Sequence, residues 1–239
     1  VSLSLDKGGF GTREVIVRIN KVSSIWVEGD LDMLKTRHPS AILIPKIDSI
    51  KDLHQIREKM AFRGLLGEVP LWGMIESARG VLNIASIANE MEEGSALVLG
   101  TNDLAKNMQV KGGADRLPFG VAFSMLIMAA RAYGLSAIDG IYADLENKEG
   151  FHAECIEGMR FGFDGKTLIH PNQVDFCNAC FSPSEEDISR AQCIIKAYKK
   201  GLKEGKGVIR FEGRMIEALH VDEAKRILAL GSQSKIKPI

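Results

Sequence analysis

The stretch from Leu71 to Asp103 restricts the possible folds more than any other part of the chain. It reads as a strand, Leu71-Trp72-Gly73-Met74-Ile75-Glu76-Ser77, a helix from about Arg79 to Glu90, and a second strand, Ala96-Leu97-Val98-Leu99-Gly100-Thr101-Asn102-Asp103. Each strand is apolar for most of its length and then ends on a carboxylate. A near-continuous apolar run belongs to a parallel sheet buried on both faces, where an unpartnered charge is costly. Two such ends, one βα unit apart, bring two acidic groups close together. A divalent cation is the simplest agent that makes this favourable. Glu76 and Asp103 are therefore expected to bind Mg²⁺ at the mouth of a βα barrel.

The same alternation runs along the rest of the chain. Strands are expected over Glu14–Asn20, Ala41–Ile47, Ser136–Asp144 and Gly165–His170, with helices over Asp30–Arg37, Asp48–Phe62, Leu117–Tyr133 and Lys148–Phe161. Strand and helix in turn imply parallel pairing through right-handed crossovers. Polar residues recur at the strand ends: Arg18, Lys46, Glu76 and Asp103 lie 28, 30 and 27 residues apart. No repeated motif accompanies them, so the period is that of a fold. About six βα units are legible against the eight of a TIM (β/α)₈ barrel. The chain opens without Met, and Val1–Leu5 resembles the tail of a helix already under way. The expectation is a barrel over residues 1–180 whose first two units are missing. An open doubly wound sheet is the alternative, but the Gly-rich first turn usual there is not found. Residues 181–239 change character. Ser184 to Asp187 caps a helix to about Lys203, residues 208–217 suggest a hairpin, and a last helix spans Val221–Leu230. This extension is expected to lack a core of its own and to pack on the barrel or on a neighbouring subunit.

With 239 residues, 45 % of them apolar, the chain can bury one large core. Its 31 basic and 31 acidic residues balance, which removes any electrostatic case for nucleic acid or an anionic membrane surface. No apolar run is long enough to span a bilayer, and the first residues lack the pattern of a secretory signal. Cys177 and Cys180 form a CxxC with no second pair at zinc-finger spacing. Free thiols in a cytoplasmic protein are the expected state.

Active sites of such barrels lie at the C-terminal ends of the strands. Strand alternation sets Trp72, Met74 and Glu76 on one face, and Leu99, Thr101 and Asp103 on one face of the next strand. Arg18 has the planar fork for a substrate carboxylate or a developing oxyanion. Lys46 is a candidate substrate-binding cation or Schiff-base nucleophile. Arg79, opening a helix beside Glu76, is a candidate anion contact, although capping alone also explains that position. A purely structural alternative pairs Arg18 and Lys46 with Glu76 and Asp103 in a salt-bridge ring. His170 is a general base or a backbone-bonded strand end. Asp139, Tyr142 and Asp144 line the mouth or cap the following helix. The Met-rich helix from Phe123 to Met128 is expected to be core.

Several motifs fall in one order along the chain: Val17-Arg18-Ile19-Asn20, Ile44-Pro45-Lys46, Ile75-Glu76-Ser77-Ala78-Arg79-Gly80, Gly100-Thr101-Asn102-Asp103-Leu104, and Gly162-Phe163-Asp164-Gly165-Lys166-Thr167-Leu168-Ile169-His170-Pro171. With Met215-Ile216-Glu217 near the end, this order resembles the citrate lyase β-subunit-like family, which includes malyl-CoA and citramalyl-CoA lyases. The resemblance covers nearly the whole chain. It implies a trimeric (β/α)₈ barrel, Mg²⁺ on Glu76 and Asp103, and Arg18 on a keto acid. It also implies an acid/base from a neighbouring subunit at Glu217, where the family more often carries Asp. The implied reaction is Mg²⁺-dependent cleavage of a 3-hydroxy-carboxyacyl-CoA into an acyl-CoA and an α-keto acid such as glyoxylate, pyruvate or oxaloacetate. A malyl-CoA thioesterase and a non-catalytic subunit are the rivals.

Overall fold

The computed structural model describes residues 1–110 and 116–233. The chain divides into two compact units, residues 1–171 and 172–239.

The first unit follows the expected alternation. After α1 (Ser2–Lys7) come β1 (Ile16–Arg18), α2 (Val27–Leu34), β2 (Ala41–Ile44), α3 (Ile50–Ala61) and β3 (Leu71–Ile75). Two short helices, α4 (Ala78–Leu82) and α5 (Ile84–Asn89), lead to β4 (Ala96–Leu99) and α6 (Thr101–Met108). Helix α7 (Gly120–Ala132), β5 (Ser136–Asp139), α8 (Lys148–Phe161) and β6 (Gly165–Lys166) complete it. The six strands form one sheet in the order β1-β2-β3-β4-β5-β6, and every pair is parallel. Among the described residues this is a six-stranded half-barrel, coarser than the closed eight-stranded barrel expected from the sequence.

Strands β2 and β4 are buried at every residue, which explains their unbroken Ala-Ile-Leu-Ile and Ala-Leu-Val-Leu runs. On one face of the sheet Leu43, Met74 and Val98 form an apolar cluster with Ile16, Trp72 and Ile138 packed against it. Each such side chain removed from water is worth about 1.5–3 kcal/mol. The other face receives helices, with α7 packing on β4 and β5. Phe123 of α7 meets Phe161 and Phe163 edge-on, with ring centroids 5.1 and 5.5 Å away. Met128, on the same helix, is 63 % exposed, so the Met-rich segment is core only in part.

Two expected elements end sooner than the sequence suggests, one a helix and one a strand. The helix expected over 79–90 is broken at Asn83 (φ −99°, ψ 5°), whose Nδ2 donates to the Asp48 carbonyl at 2.8 Å. The strand expected to run on to Asp103 stops at Leu99. Gly100, with φ −99° and ψ 78°, turns the chain into α6, and Asp103 sits in the first turn of that helix. An acidic residue there meets the unsatisfied N–H groups and positive end of the helix dipole, a preference that local strand alternation does not register. Val98 is the β4 residue that faces Met74 and Leu43.

The second unit contains α9 (Val174–Phe181), α10 (Glu185–Lys203), the antiparallel pair β7 (Ile209–Phe211) and β8 (Arg214–Ile216), and α11 (Ala218–Gln233). It begins ahead of residue 181, because α9 groups with it. Ser184 and Asp187 form the expected capping box on α10. The hairpin turns on Glu212 and Gly213 with φ of 46° and 79°, the doubly positive pair that matches strand twist in a two-residue loop. Contrary to expectation, this unit has a core of its own. Tyr198, Ile216 and Val221 are buried together, with Ile194, Ile195, Ile209 and Phe211 packed against them.

Candidate metal and substrate site

Glu76 directly follows β3, and its side chain is buried at 6 % exposure. It lies against the chain at Gly100. A Cβ placed on Gly100 would come within 2.5 Å of Glu76 Cβ and 2.8 Å of Glu76 Oε2, so only glycine fits there. That close approach brings the turn before α6, and with it Asp103, alongside Glu76. Glu76 Oε1 has no hydrogen-bond partner despite its burial. Lys46 Nζ donates to Asp103 Oδ1 at 2.8 Å, and both of these side chains are about half exposed.

The electrostatics separate the two carboxylates. Burial, and then the charge of Asp103, push the Glu76 carboxyl up to about 6, while Lys46 pulls it back down. The hydrogen bond from Lys46 holds Asp103 below the usual carboxylate range, against a smaller desolvation effect. A proton added to the pair therefore resides on Glu76, and Asp103 is its ionised member. The Lys46 ammonium is correspondingly held above its ordinary value by Asp103, with Glu76 and Asp48 adding to the effect.

Glu76 and Asp103 belong to two clefts at once. One, of about 380 Å³, is shared with Arg18 and walled by apolar residues that include Met74, Ile141 and Ile169. The other, of about 440 Å³, is shared with Lys46, Asp48, Ser77 and Lys106. Among the described residues no group of three or more His, Cys, Asp and Glu is gathered as a metal cage. Two carboxylates, one with a buried unpartnered oxygen, instead suit a hard cation that keeps positions open for water and substrate oxygens.

The structure thus brings Arg18, Glu76 and Asp103 to one cleft, and Lys46 to the other side of the same pair. The salt-bridge ring is realised only between Lys46 and Asp103. Arg79, in the first turn of the five-residue α4, is exposed and lines neither cleft. The start of that helix is satisfied by Ser77, whose Oγ accepts from the Gly80 N–H at 3.0 Å. Glu217 belongs to the second unit, where its backbone N–H donates to His220 Nδ1 at 3.1 Å.

One cluster escaped the sequence reading. Asp139 is fully buried, and Arg116 Nη1 donates to both of its oxygens at 2.8 Å. Lys166 Nζ donates to Oδ2 of the same group at 3.0 Å. Arg116 also reaches Glu157 at 2.6 Å, and its guanidinium lies 4.6 Å from the Phe123 ring centroid. Asp139 is therefore a structural anchor, neither lining the mouth nor capping a helix. Its carbonyl accepts from both the N–H and the Oγ1 of Thr167, at 2.9 and 2.7 Å, and Thr167 lines the smaller cleft. Nothing in local periodicity ties Arg116 to Asp139. The only signal was an acidic residue and a lysine in strands that should be apolar.

These features define an α/β protein whose parallel half-barrel carries an arginine at, and an acidic pair just beyond, the C-terminal ends of its strands. The chain belongs to the HpcH/HpaI aldolase/citrate lyase family, whose model matches residues 5–171. It is 40 % identical over 226 residues to a (3S)-malyl-CoA thioesterase of Cereibacter sphaeroides, covering 95 % of this chain and 77 % of that protein. It is 32 % identical over 248 residues to the mitochondrial citramalyl-CoA lyase of Homo sapiens, covering 98 % of this chain and 73 % of the other. Among solved structures it resembles the protein CitE of Mycobacterium tuberculosis in complex with magnesium and pyruvate. The TM-score is 0.60 at 25 % identity, over 71 % of this chain and 69 % of that one. Among the described residues no helix is long and apolar enough to cross a membrane.

Proposed function

We propose that the chain is a Mg²⁺-dependent carbon–carbon lyase acting on a 3-hydroxy-carboxyacyl-CoA, of the malyl- or citramalyl-CoA type. The observation that carries the reading is the buried, unpartnered Oε1 of Glu76 beside the ionised Asp103. Glu76 and Asp103 would hold the metal. When bound, Mg²⁺ supplies Lewis-acid stabilisation of negative charge on substrate oxygen. The magnesium and pyruvate bound by CitE, a 25 % identical relative, support this assignment.

The chain's own residues take the remaining roles. Arg18, across the smaller cleft, pairs its guanidinium fork with the substrate carboxylate and so fixes the C2–C3 bond over the acidic pair. Its charge also favours the oxyanion that forms as the 3-hydroxyl passes its proton to bulk water. The apolar wall excludes water from the thioester enolate that leaves as C2–C3 breaks. Glu217, supplied by another copy in a homotrimer, would protonate that enolate at C2. Lys46 would bind substrate from the larger cleft.

A second reading is favoured by the 40 % identity to a malyl-CoA thioesterase, in which water cleaves the thioester and no carbon–carbon bond breaks. The two are separated by incubating the protein with malyl-CoA and citramalyl-CoA in Mg²⁺. A lyase releases glyoxylate or pyruvate, trapped as a hydrazone, with no free thiol. A thioesterase releases the CoA thiol with no keto acid. Turnover that persists after exhaustive EDTA treatment overturns the metal assignment under either reading.

A further inference from the structure

Lys46 is bent out of ordinary geometry at the place where it meets the acidic pair. Its φ is +57°, a left-handed backbone that only three non-glycine residues adopt among those described. Such a conformation is unfavourable for an L-residue and persists where the surroundings fix it, commonly at functional sites. The residue lies two positions past the end of β2, directly after Pro45. It acts on both carboxylates. Its ammonium donates to Asp103 Oδ1, and its backbone N–H and charge favour the ionised form of Glu76. Its side chain is nevertheless 49 % exposed, so packing does not force the ammonium onto Asp103.

We propose that Lys46 is a tethered competitor of the divalent cation. Its ammonium occupies the Asp103 oxygen that the metal needs, and the Lys46–Asp103 pair must open before Asp103 can coordinate. The proposal rests on the reading of Glu76 and Asp103 as metal ligands. Exchange raises the charge beside Asp103 by one, since a divalent ion arrives as the singly charged ammonium leaves, and the second positive charge is matched by the Glu76 carboxylate once it is ionised. It also returns the lysine Nζ to the larger cleft, beside Lys106, where it is available to an anionic part of the substrate. Metal loading and the charge of that cleft are thereby linked through one side chain.

Lys106 provides the control. It lines the same cleft and lowers the Asp103 pKa through its charge, without the hydrogen bond that Lys46 makes. Metal-free protein is titrated with Mn²⁺, and free ion is counted by electron paramagnetic resonance. Lys46→Met is expected to tighten Mn²⁺ binding about tenfold or more, the size of one lost charge-assisted hydrogen bond. Lys46→Arg should stay near wild type, and Lys106→Met should change affinity no more than about threefold, as for a charge acting through screened solvent. Lys46→Asn, also neutral and tolerant of left-handed backbone, repeats the measurement should the methionine variant not fold. Equal tightening in the Lys46 and Lys106 variants would reduce the effect to the general field and overturn the proposal, as would weaker binding in Lys46→Met. A wild-type protein that binds no Mn²⁺ removes the metal assignment itself and this inference with it.

Discussion

Glu76→Gln tests the core of the site through stability alone, with no substrate required. The Glu76 carboxyl has an ordinary value of 4.5 and rises to about 6 in the folded protein, chiefly through burial and then through the charge of Asp103. Because the folded value lies above the unfolded one, the native state keeps its proton longer. The favourable contribution is complete below about pH 4.5 and is lost as pH rises through about 6. A displacement of about 1.5 pH units corresponds to about 2 kcal/mol. The side chain is almost fully buried, so this figure needs little discount for solvent screening. Glutamine does not titrate and keeps nearly the same shape. In EDTA, the stability of Glu76→Gln relative to wild type should therefore rise by about 2 kcal/mol between pH 4 and pH 8. Urea titrations followed by tryptophan fluorescence report this directly, because both tryptophans, Trp26 and Trp72, lie in the first unit. With a urea slope of about 2 kcal/mol per molar, the midpoint difference should move by about 1 M. Saturating Mg²⁺ should reverse the order, since wild type alone gains about 2.7 kcal/mol at a hundred times the dissociation constant. A difference that stays flat from pH 4 to 8, or that falls, refutes the argument that Glu76 is held as a reluctant anion.

Other changes probe the neighbouring parts. Gly100→Ala forces a Cβ to within 2.5 Å of Glu76 Cβ, and should cost about 1–3 kcal/mol in a thermal melt while weakening Mg²⁺ binding in calorimetry. Arg18→Lys keeps the charge but loses the bidentate fork, and should lower kcat/KM for the CoA thioester about 10²-fold or more; a loss under threefold would remove Arg18 from the reaction. Asp139→Asn breaks a buried ionic cluster and should destabilise the first unit by about 3–5 kcal/mol in urea, whether or not Mg²⁺ is present.

The fold was legible where burial and chain periodicity agree. Lys148–Phe161 reads as a helix to the residue, and the Ser184–Asp187 cap announces α10 because side-chain capping is a local event. Strand ends were less legible. The polar residues after Leu99 continue a strand-like rhythm on paper, yet Gly100 and the unsatisfied N–H groups of a helix start decide otherwise. Arg18, Glu76 and Asp103 could be picked out because charged groups just beyond apolar runs demand partners. The Lys46–Asp103 pair was among the alternatives that matching strand ends offered, but that Arg116 holds Asp139 depends on a pairing 23 residues apart, to which sequence periodicity is blind. The core of the second unit was missed for the same reason. Tyr198, Ile216 and Val221 meet only after a helix and a hairpin have folded back.

Thr167 spends both its N–H and its hydroxyl on the Asp139 carbonyl, and Lys166 before it is clamped to the Asp139 carboxylate. Leu168 and Ile169, which follow, form part of the smaller cleft's wall. The segment is thus fastened at its inner end, while Leu168 and Ile169 join Thr167 in lining the cleft and carry none of the anchoring bonds to Asp139. Exchanging Leu168 and Ile169 can therefore reshape the cleft without loosening the mooring, so one scaffold can vary the cavity it presents through a pair of neighbouring codons.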